Sequence, residues 1–467
     1  MPLLKTLKEQ LSCEPLLSAT HIVVAYSGGV DSHVLLHALH NIKQEAHLNF
    51  YISAVHIHHG LSQYADQWQS HCEQVCASLN IEFQTANVNV QAAPRQSLEA
   101  QAREARYHKL VELAPANSQV VLGQHQDDQL ETFLLQLKRG AGPKGLSAMN
   151  RAWISYKHAH PVGFYRPLLD ITQQHILDYA QQHNLQWCED ESNQNTDFER
   201  NFLRHDVLPV LQFRWPEIAR SVARSAALCA EQQHLLDEIS AEKLKPIKAS
   251  ANSLHLPVLK QLSQSWLNQL VRYWLSELGI QSPSLAVLNQ LKPDVLDAAE
   301  DATPILQWQG WQFRRFDQQL FVIGVGLEKV IFNQVWQGEK SIQLPNNMGN
   351  LTFTQTADVL TNKALTNIKQ VDDMSQLTVN PNWGPLLIRS GGYSVRFKPA
   401  GYKHSKPIKQ WFKQWKVAPW LRESVLLVIQ NEQVLALLLN GNWQIAQTDY
   451  IECKKARMLL ITSKKNA

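Results

Sequence analysis

The chain has 467 residues, 44% hydrophobic and 18% charged, with a formal net charge of +3. That length suits about three domains of ~150 residues, and the apolar content excludes wholesale disorder. The near-neutral balance leaves any nucleic-acid contact to local clusters of charge.

The first 15 residues lack the long apolar core of a secretion signal. The most apolar later run, Val425–Leu439, is broken by Gln430-Asn431-Glu432-Gln433 and reads as a strand hairpin rather than a span. A cytoplasmic protein without a membrane partner is therefore expected. The six cysteines (Cys13, Cys72, Cys76, Cys188, Cys229 and Cys453) form no Cys-x-x-Cys pair, which favours reduced thiols over a zinc cage or a disulfide framework.

In chain order, residues 21–26 are a β-branched strand followed at once by a glycine turn, and Ser32–His40 has helical spacing. A strand fits Tyr51–Ile57, a helix Tyr64–Leu79, a strand Ile81–Val90 and a helix Ser97–Leu113. Val120–Gly123 is a further strand and Asp127–Lys138 a further helix. Strands alternating with helices in this way predict βαβ units and a parallel sheet, with ligands beyond the carboxyl ends of the strands. Residues 151–165 read as irregular, and the alternation fades beyond Trp187. The pattern is helical from about 218 to 296, β-like and Trp-rich over 301–331, and hard to read over 333–384. From Pro385 onward short strands flank one basic helix. The expected division is an α/β domain over 1–218, a mostly helical middle domain over 219–384 and a small α+β domain over 385–467.

The glycine turn reads Ser27-Gly28-Gly29-Val30-Asp31-Ser32. Glycines let the backbone approach phosphates closely, and loop and helix N-terminal N–H groups then face the anion. Ser27 and Ser32 add hydroxyl donors, and Asp31 is suited to holding Mg²⁺ against phosphate oxygens. No Walker Gly-Lys-Ser/Thr follows, which disfavours γ-phosphate transfer of the kinase or GTPase kind. Three further segments stand at or after predicted strands. They are His56-Ile57-His58-His59-Gly60-Leu61, then Gly123-Gln124-His125-Gln126-Asp127-Asp128-Gln129-Leu130-Glu131-Thr132 leading to Lys138-Arg139-Gly140-Ala141-Gly142, and Glu189–Asn193 with Arg200-Asn201-Phe202-Leu203-Arg204.

The hexapeptide resembles the signature of the PP-loop ATP pyrophosphatases, which have a Rossmann-like sheet. The whole set resembles the tRNA(Ile)-lysidine synthetase family, as do Phe397-Lys398-Pro399 and Val417–Arg422 near the C-terminus. The resemblance implies that ATP adenylates the carbon-2 oxygen of the wobble cytidine in a minor isoleucine tRNA with a CAU anticodon. Free L-lysine then displaces AMP to give lysidine, so that the tRNA reads AUA instead of AUG and accepts isoleucine instead of methionine. It places Ser27–Ser32, His58, Arg103, Arg106, Gly123 and His125 at ATP. Asp31, Asp128 and Glu131 fall at lysine and metal, with Asp127 beside them. Asp31 carries Mg²⁺. Arg106 and Arg204 are the catalytic candidates, although which arginine of the pairs Arg103/Arg106 and Arg200/Arg204 touches ATP stays open.

The residue chemistry is compatible. Asp128 and Glu131 are three apart, Asp127 and Glu131 four apart, hence near one helix face. Carboxylates there suit a cation, and one beside an amine helps it lose a proton. Each group has a plainer reading as well: acids in a first helical turn complement the dipole, and arginine pairs on helices are commonly solvated. A His56/His58/His59 metal triad is disfavoured, because on a strand His59 points away from the other two.

Residues 385–425 set Arg389, Arg396, Lys398, Lys403, Lys406, Lys409, Lys413, Lys416 and Arg422 against the single acid Glu423, with Tyr, Phe and Trp between them. Lys409, Lys413 and Lys416 are expected on one helix face. Such a surface suits tRNA phosphates and bases, and a solvated basic helix over a small core is the alternative. Lys138, Arg139, Lys144 and Arg200 are further tRNA candidates; a homodimer is left open. A PP-loop thiolase would want Cys-x-x-Cys for its sulfur or cluster chemistry, and a non-catalytic tRNA-binding protein would not need Asp31, Asp128 and Glu131 intact.

Overall fold

The computed structural model describes residues 2–464 except 59, 61, 89–97, 157–159, 327–331, 346–348, 357–374, 380–384, 440–441 and 447–457. His59, Leu61 and Cys453, and the ends of the segments expected over 81–90 and 97–113, lie outside the described residues. Two compact units divide the chain, Met1–Glu238 and Ile239–Ala467.

The first unit opens with α1 (Pro2–Leu11), β1 (His21–Ala25), α2 (Val30–Ala46), β2 (Tyr51–His58), α3 (Ala65–Ser78), β3 (Glu82–Asn87) and α4 (Leu98–Leu113). It continues with β4 (Ser118–Val121), α5 (Gln126–Lys138), α6 (Pro143–Leu146), β5 (Ala152–Ser155), β6 (Val162–Tyr165) and α7 (Gln173–Gln182). One sheet has the order β3-β2-β1-β4-β6-β5. All pairings are parallel except β5 with β6. The period-two alternation of strands builds both faces. Ile22, Val24, Ile52, Ala54 and Val121 pack with α1, α2 and α7, while Val23, Val55, Ile57 and Val120 pack with Leu110 and Val111 of α4. The chain leaves β1 toward β2 and β3, then returns across β1 to β4. The order reverses there, and the loops after β1 and β4 flank the crevice. The segment read as irregular contains β5, at the edge of the sheet, and β6 beside it. At four residues each, they are too short to show a period.

The unit closes with α8 (Glu199–Phe202), a π-helical stretch at Leu203–Val207, α9 (Leu208–Arg214) and much of α10 (Ile218–Leu244). In the second unit follow β7 (Lys248–Ser250), β8 (Ser253–His255), α11 (Leu256–Gln261), α12 (Gln264–Glu277), α13 (Leu285–Gln290), β9 (Ile305–Trp308), β10 (Trp311–Phe316) and β11 (Gln319–Gly324). Their strands form the sheet β7-β8-β11-β10-β9, over which α12 buries Leu267, Leu270, Val271, Trp274 and Leu275. The three-residue strands β7 and β8 are the part of this region that helical periodicity hid.

The remaining elements are β12 (Asn333–Trp336), β13 (Ser341–Gln343), β14 (Asn350–Thr356), β15 (Ser375–Val379), β16 (Leu386–Ser390), β17 (Arg396–Phe397), β18 (Lys406–Pro407), α14 (Ile408–Gln414), α15 (Pro419–Arg422), β19 (Leu426–Gln430), β20 (Gln433–Leu439), β21 (Asn442–Ile445) and β22 (Met458–Lys464). They form antiparallel sheets β12-β16-β19-β20-β21 and β13-β14-β22-β15. The expected hairpin is β19–β20. Among the described residues, no helix is long and apolar enough to cross a membrane.

Histidines gather between α2, α3 and α7. The His33 ring lies 6.0 Å from His71, and the His37 ring 5.1 Å from His183. Burial, aided by neighbouring histidines, pulls both His33 and His37 down to about 4 from 6.5. The unfolded chain therefore binds more protons than the native state between those values, and stability falls as pH drops through 6.5 toward 4. Because His37 is only partly buried, solvent screening trims the effect. From pH 7 to 5 the melting temperature should fall by roughly 5 °C, and the double variant His33→Asn/His37→Asn should flatten that slope in scanning fluorimetry. An unchanged slope would count against these rings.

Candidate active site

The β1 strand ends at Ala25, and Tyr26 continues it by donating its N–H to Val55 O at 2.9 Å. His56 Nδ1 lies 2.9 Å from the Tyr26 carbonyl. A carbonyl only accepts, so Nδ1 carries the proton and His56 is a buried structural tie. At Gly28 the chain turns with φ +89°, and a Cβ there would stand 3.0 Å from Cys72 Sγ. Gly28 O accepts the Cys188 N–H at 3.0 Å, which fastens the segment leading to Glu189–Asn193 onto the loop. Ser32 Oγ accepts from Ser27 N at 3.2 Å, lies 3.1 Å from Ser27 Oγ and donates to Gly29 O at 3.1 Å. These bonds close the hexapeptide into a ring at the start of α2. Gly29, the N-cap of α2, provides no side-chain cap, so the first-turn donors have the makings of an anion site.

The loop after β4 reaches this turn because residue 123 is glycine. A Cβ there would lie 3.0 Å from Ser32 N and 3.1 Å from Asp31 C. The loop delivers His125, which is almost fully buried, as the N-cap of α5. Its Nε2 is 3.7 Å from Asp31 Oδ1 and 3.5 Å from Asp128 Oδ2, and its Nδ1 is 3.6 Å from Asp127 Oδ2. Burial works against a charge on the ring, but Asp128, Asp127 and Asp31 together outweigh it and hold the ring up at about 9. The Asp127 N–H also points at Nδ1 from 3.3 Å, a contact that only a neutral ring accepts. The charge balance favours imidazolium, with its N–H groups facing the carboxylates.

Asp31, Asp128 and Glu131 come together as the sequence proposed. Asp128 also caps its own helix by accepting the His125 N–H at 3.0 Å. Glu131, 1% exposed, is gripped by Arg204 Nε at 2.7 Å and approached by Arg200 Nε at 3.1 Å, while Arg204 also stands 3.5 Å from Asp128. Burial pushes the Glu131 carboxyl up against the pull of Arg204, and burial with Asp128 nearby pushes Asp31 up. Asp31 Oδ1 is buried without a hydrogen-bond partner. An orphaned carboxylate oxygen beside an anion site fits a Mg²⁺ ligand, and Mg²⁺ on nucleotides commonly takes only one or two carboxylates.

Asp127 stands apart from that set. Its oxygens accept from Gln173 N at 2.8 Å and Gln212 Nε2 at 2.9 Å, tying α5 to α7 and α9. His58 lies at the end of β2, 3.1 Å from Asp66. Asn201, unassigned by the sequence, anchors the acidic loop through Ser192 O at 2.8 Å and Asn195 O at 2.9 Å. Arg166 was missed too. It is 4% exposed just past β6, donating to Gln124 Oε1 at 3.0 Å and Tyr107 OH at 3.2 Å, and also to Asn150 O. Only its place one residue beyond a parallel strand could have flagged it. Arg103 and Arg106 of α4 both lie over the Tyr107 ring.

Among the tRNA candidates, Lys138, Arg139 and Lys144 are exposed, with Lys138 paired to Glu199 at 2.5 Å. Arg200 turns inward to Glu131. In the second unit, Lys409 and Lys413 are exposed on α14, whose other side buries Ile408, Trp411 and Phe412. Arg396 is exposed and donates to Ser405 O at 2.6 Å, and Lys398 is partly buried. Lys416 does not share the helix face: α14 stops at Gln414, and Lys416 sits beyond it with φ 51°, bonded to Asp317 at 2.8 Å. Lys416 is the left-handed residue of the helix C-cap, where the Val417 N–H closes back on Phe412 O at 2.8 Å.

Residues 3–211 match the PP-loop domain, 254–321 the TilS substrate binding domain and 386–446 the TilS substrate C-terminal domain. The tRNA(Ile)-lysidine synthase of Vibrio cholerae is 40% identical over 425 residues, covering 90% of this chain and 92% of that one. Its counterpart in Serratia proteamaculans is 38% identical, covering 90% of each chain. The chain belongs to the tRNA(Ile)-lysidine synthase family. Another lysidine synthase, from Proteus mirabilis, is 35% identical and covers 97% of this chain and 98% of its own. The expected fold holds as well: a PP-loop domain on a parallel sheet, a helical region and a C-terminal domain of antiparallel sheets. As a member of the lysidine synthase family, the protein is a tRNA-modifying enzyme with an ATP-binding PP-loop domain.

Gly28 offers a direct check of the phosphate loop. Gly28→Ala places a Cβ in a left-handed conformation and against Cys72, so it should destabilise the fold by about 1–3 kcal/mol and abolish binding of a fluorescent ATP analogue. Adding Cys72→Ala should recover only the part of the stability lost to the contact, and no binding, because the backbone strain remains. Wild-type binding by Gly28→Ala would remove the loop from the ATP site.

Proposed function

We propose that the protein joins free L-lysine to carbon-2 of the wobble cytidine in an isoleucine tRNA with a CAU anticodon, using ATP and yielding AMP and pyrophosphate. The observation that carries this reading is the juxtaposition of an uncapped helix N-terminus at the hexapeptide with a carboxylate cluster that sets its own Asp31 beside Asp128 and Glu131 of α5. The first is chemistry for a triphosphate, the second for cations. The relatives' printed name, tRNA(Ile)-lysidine synthase, supports an isoleucine tRNA and a lysidine product.

In this reading, Ser27–Ser32 and Gly123 seat the triphosphate, with His125 behind them and Arg103 and Arg106 of α4 along it. The cytidine carbon-2 oxygen attacks the α-phosphorus, and the bond to pyrophosphate breaks. Mg²⁺ held at Asp31 would neutralise phosphate charge. Asp128 and Glu131 receive the lysine ammonium and help the amine lose its proton. The free amine attacks carbon-2 and AMP leaves with the oxygen. Arg204, fixed by Glu131, lies where negative charge builds on departure. Three parts divide the work: catalysis over 1–218, tRNA positioning over 219–384 and a basic tRNA surface over 385–467.

Incubation with ATP, labelled lysine and bulk bacterial tRNA, followed by nucleoside analysis, should yield labelled lysidine in isoleucine tRNA. Label in no nucleoside would end the reading. Asp31→Ala should lower pyrophosphate release at least a hundredfold, about 2.7 kcal/mol of transition-state stabilisation; undiminished release would take Asp31 out of the mechanism. Reversing the two exposed charges of α14 (Lys409→Glu with Lys413→Glu) should weaken tRNA binding and reduce the salt slope by about two. Unaltered affinity and slope would place the tRNA elsewhere.

A further inference from the structure

Arg166 is an arginine at the catalytic edge of the sheet that is too buried to touch a substrate. It follows β6, and its guanidinium stacks over Trp153, 4.2 Å from the ring centroid. Trp153 in turn stacks on Phe164 at 4.8 Å and 7°. Its donors reach three separate pieces of the chain: Gln124 beside His125, the carbonyl of Asn150, and the Tyr107 hydroxyl on α4. The Tyr107 oxygen also accepts from Arg103 Nη2 at 3.4 Å. A phenol oxygen has lone pairs for two donors. Here the two come from guanidiniums on different elements, one locked in the sheet and one on the helix.

We propose that Arg166 and Tyr107 are positioning residues: the shared hydroxyl oxygen anchors Arg103 to the sheet edge, so that ATP binding depends on two side chains that never touch ATP. The inference rests on the assignment of Arg103 to ATP made above. Two like charges on one oxygen repel, and the arrangement holds because the rigid aromatic stack fixes Arg166. The long Arg103 side chain, on a helix surface, is the partner free to adjust. Its alternative rotamers are those the bond suppresses, and loss of that restraint costs ordering on every binding event.

The test is Tyr107→Phe, which keeps the ring under Arg103 and Arg106 and removes only the oxygen. The KM for ATP should rise about three- to tenfold, with kcat, the KM for lysine and the melting temperature close to wild type. Arg166→Lys should raise the KM for ATP likewise, because one ammonium cannot hold three acceptors in a fork, and should lower the melting temperature as acceptors go unmet. Tyr107→Phe added to Arg166→Lys should then have little further effect on ATP. If Arg103→Ala raises the ATP KM while Tyr107→Phe leaves it alone, the relay is wrong and the ATP assignment stands. If Arg103→Ala leaves it alone, the proposal and that assignment fall together. Equal losses in kcat, lysine KM and melting temperature for Tyr107→Phe would reduce the pair to a packing role and also overturn it.

Discussion

The close approach of two strand-end loops at the reversal of strand order is the constraint from which the site follows. Ser27–Ser32 follows β1 and Gly123–Asp128 follows β4, and these strands are neighbours in the sheet. Backbone atoms of the two loops come so near that a single Cβ at residue 123 would sit 3.0 Å from Ser32 N. Without that approach Asp31 would not face His125, and the donors of α2 would be separated from the acids of α5. The hexapeptide alone has the makings of an anion site. The glycine opposite brings carboxylates beside it, the pairing that the proposed reaction between a triphosphate and an amine calls for.

Electrostatic balance then decides how the acids can be used. Four carboxylates, those of Asp31, Asp127, Asp128 and Glu131, lie among His125, Arg200 and Arg204. Asp127 is spent on the N–H of Gln173 and on Gln212, and the Glu131 pair with Arg204 at 2.7 Å is a charge-assisted hydrogen bond. Asp31 Oδ1 and Glu131 Oε2 are buried without a hydrogen-bond partner. Unpaired buried oxygen is costly, and the ligands proposed here, Mg²⁺ and an ammonium, are the groups that relieve it.

Much of the first unit was legible in the sequence because β1, β2 and β4 are largely buried strands rich in Ile and Val and its helices are long enough to show a period. The hexapeptide was legible because phosphate chemistry demands glycine at fixed offsets. Other features depend on three-dimensional contacts that leave no local pattern. That Asp127 ties α5 to α7 and α9 while Asp128 beside it caps only its own helix follows from where α7 and α9 happen to pack. Lys416 fell off the expected face because α14 ends after seven residues, and helix ends are the weakest point of any reading from periodicity. The four-residue strands β5 and β6 were too short to register, and with them went Arg166.

Arg166 also shows why such residues escape a reading that searches for reactive groups. A buried arginine is costly unless all its donors are met, so its presence at an active edge implies partners, but not which ones. Here the partners are a loop side chain, a backbone carbonyl and a tyrosine on α4, each brought by a different segment. A hydrophobic residue would fill the same volume under Trp153 and leave those segments unlinked. The fold therefore accepts the desolvation of a guanidinium at the point where β4, β5, β6 and α4 must keep register with one another. It is the same edge at which the phosphate loop requires its neighbours to hold still.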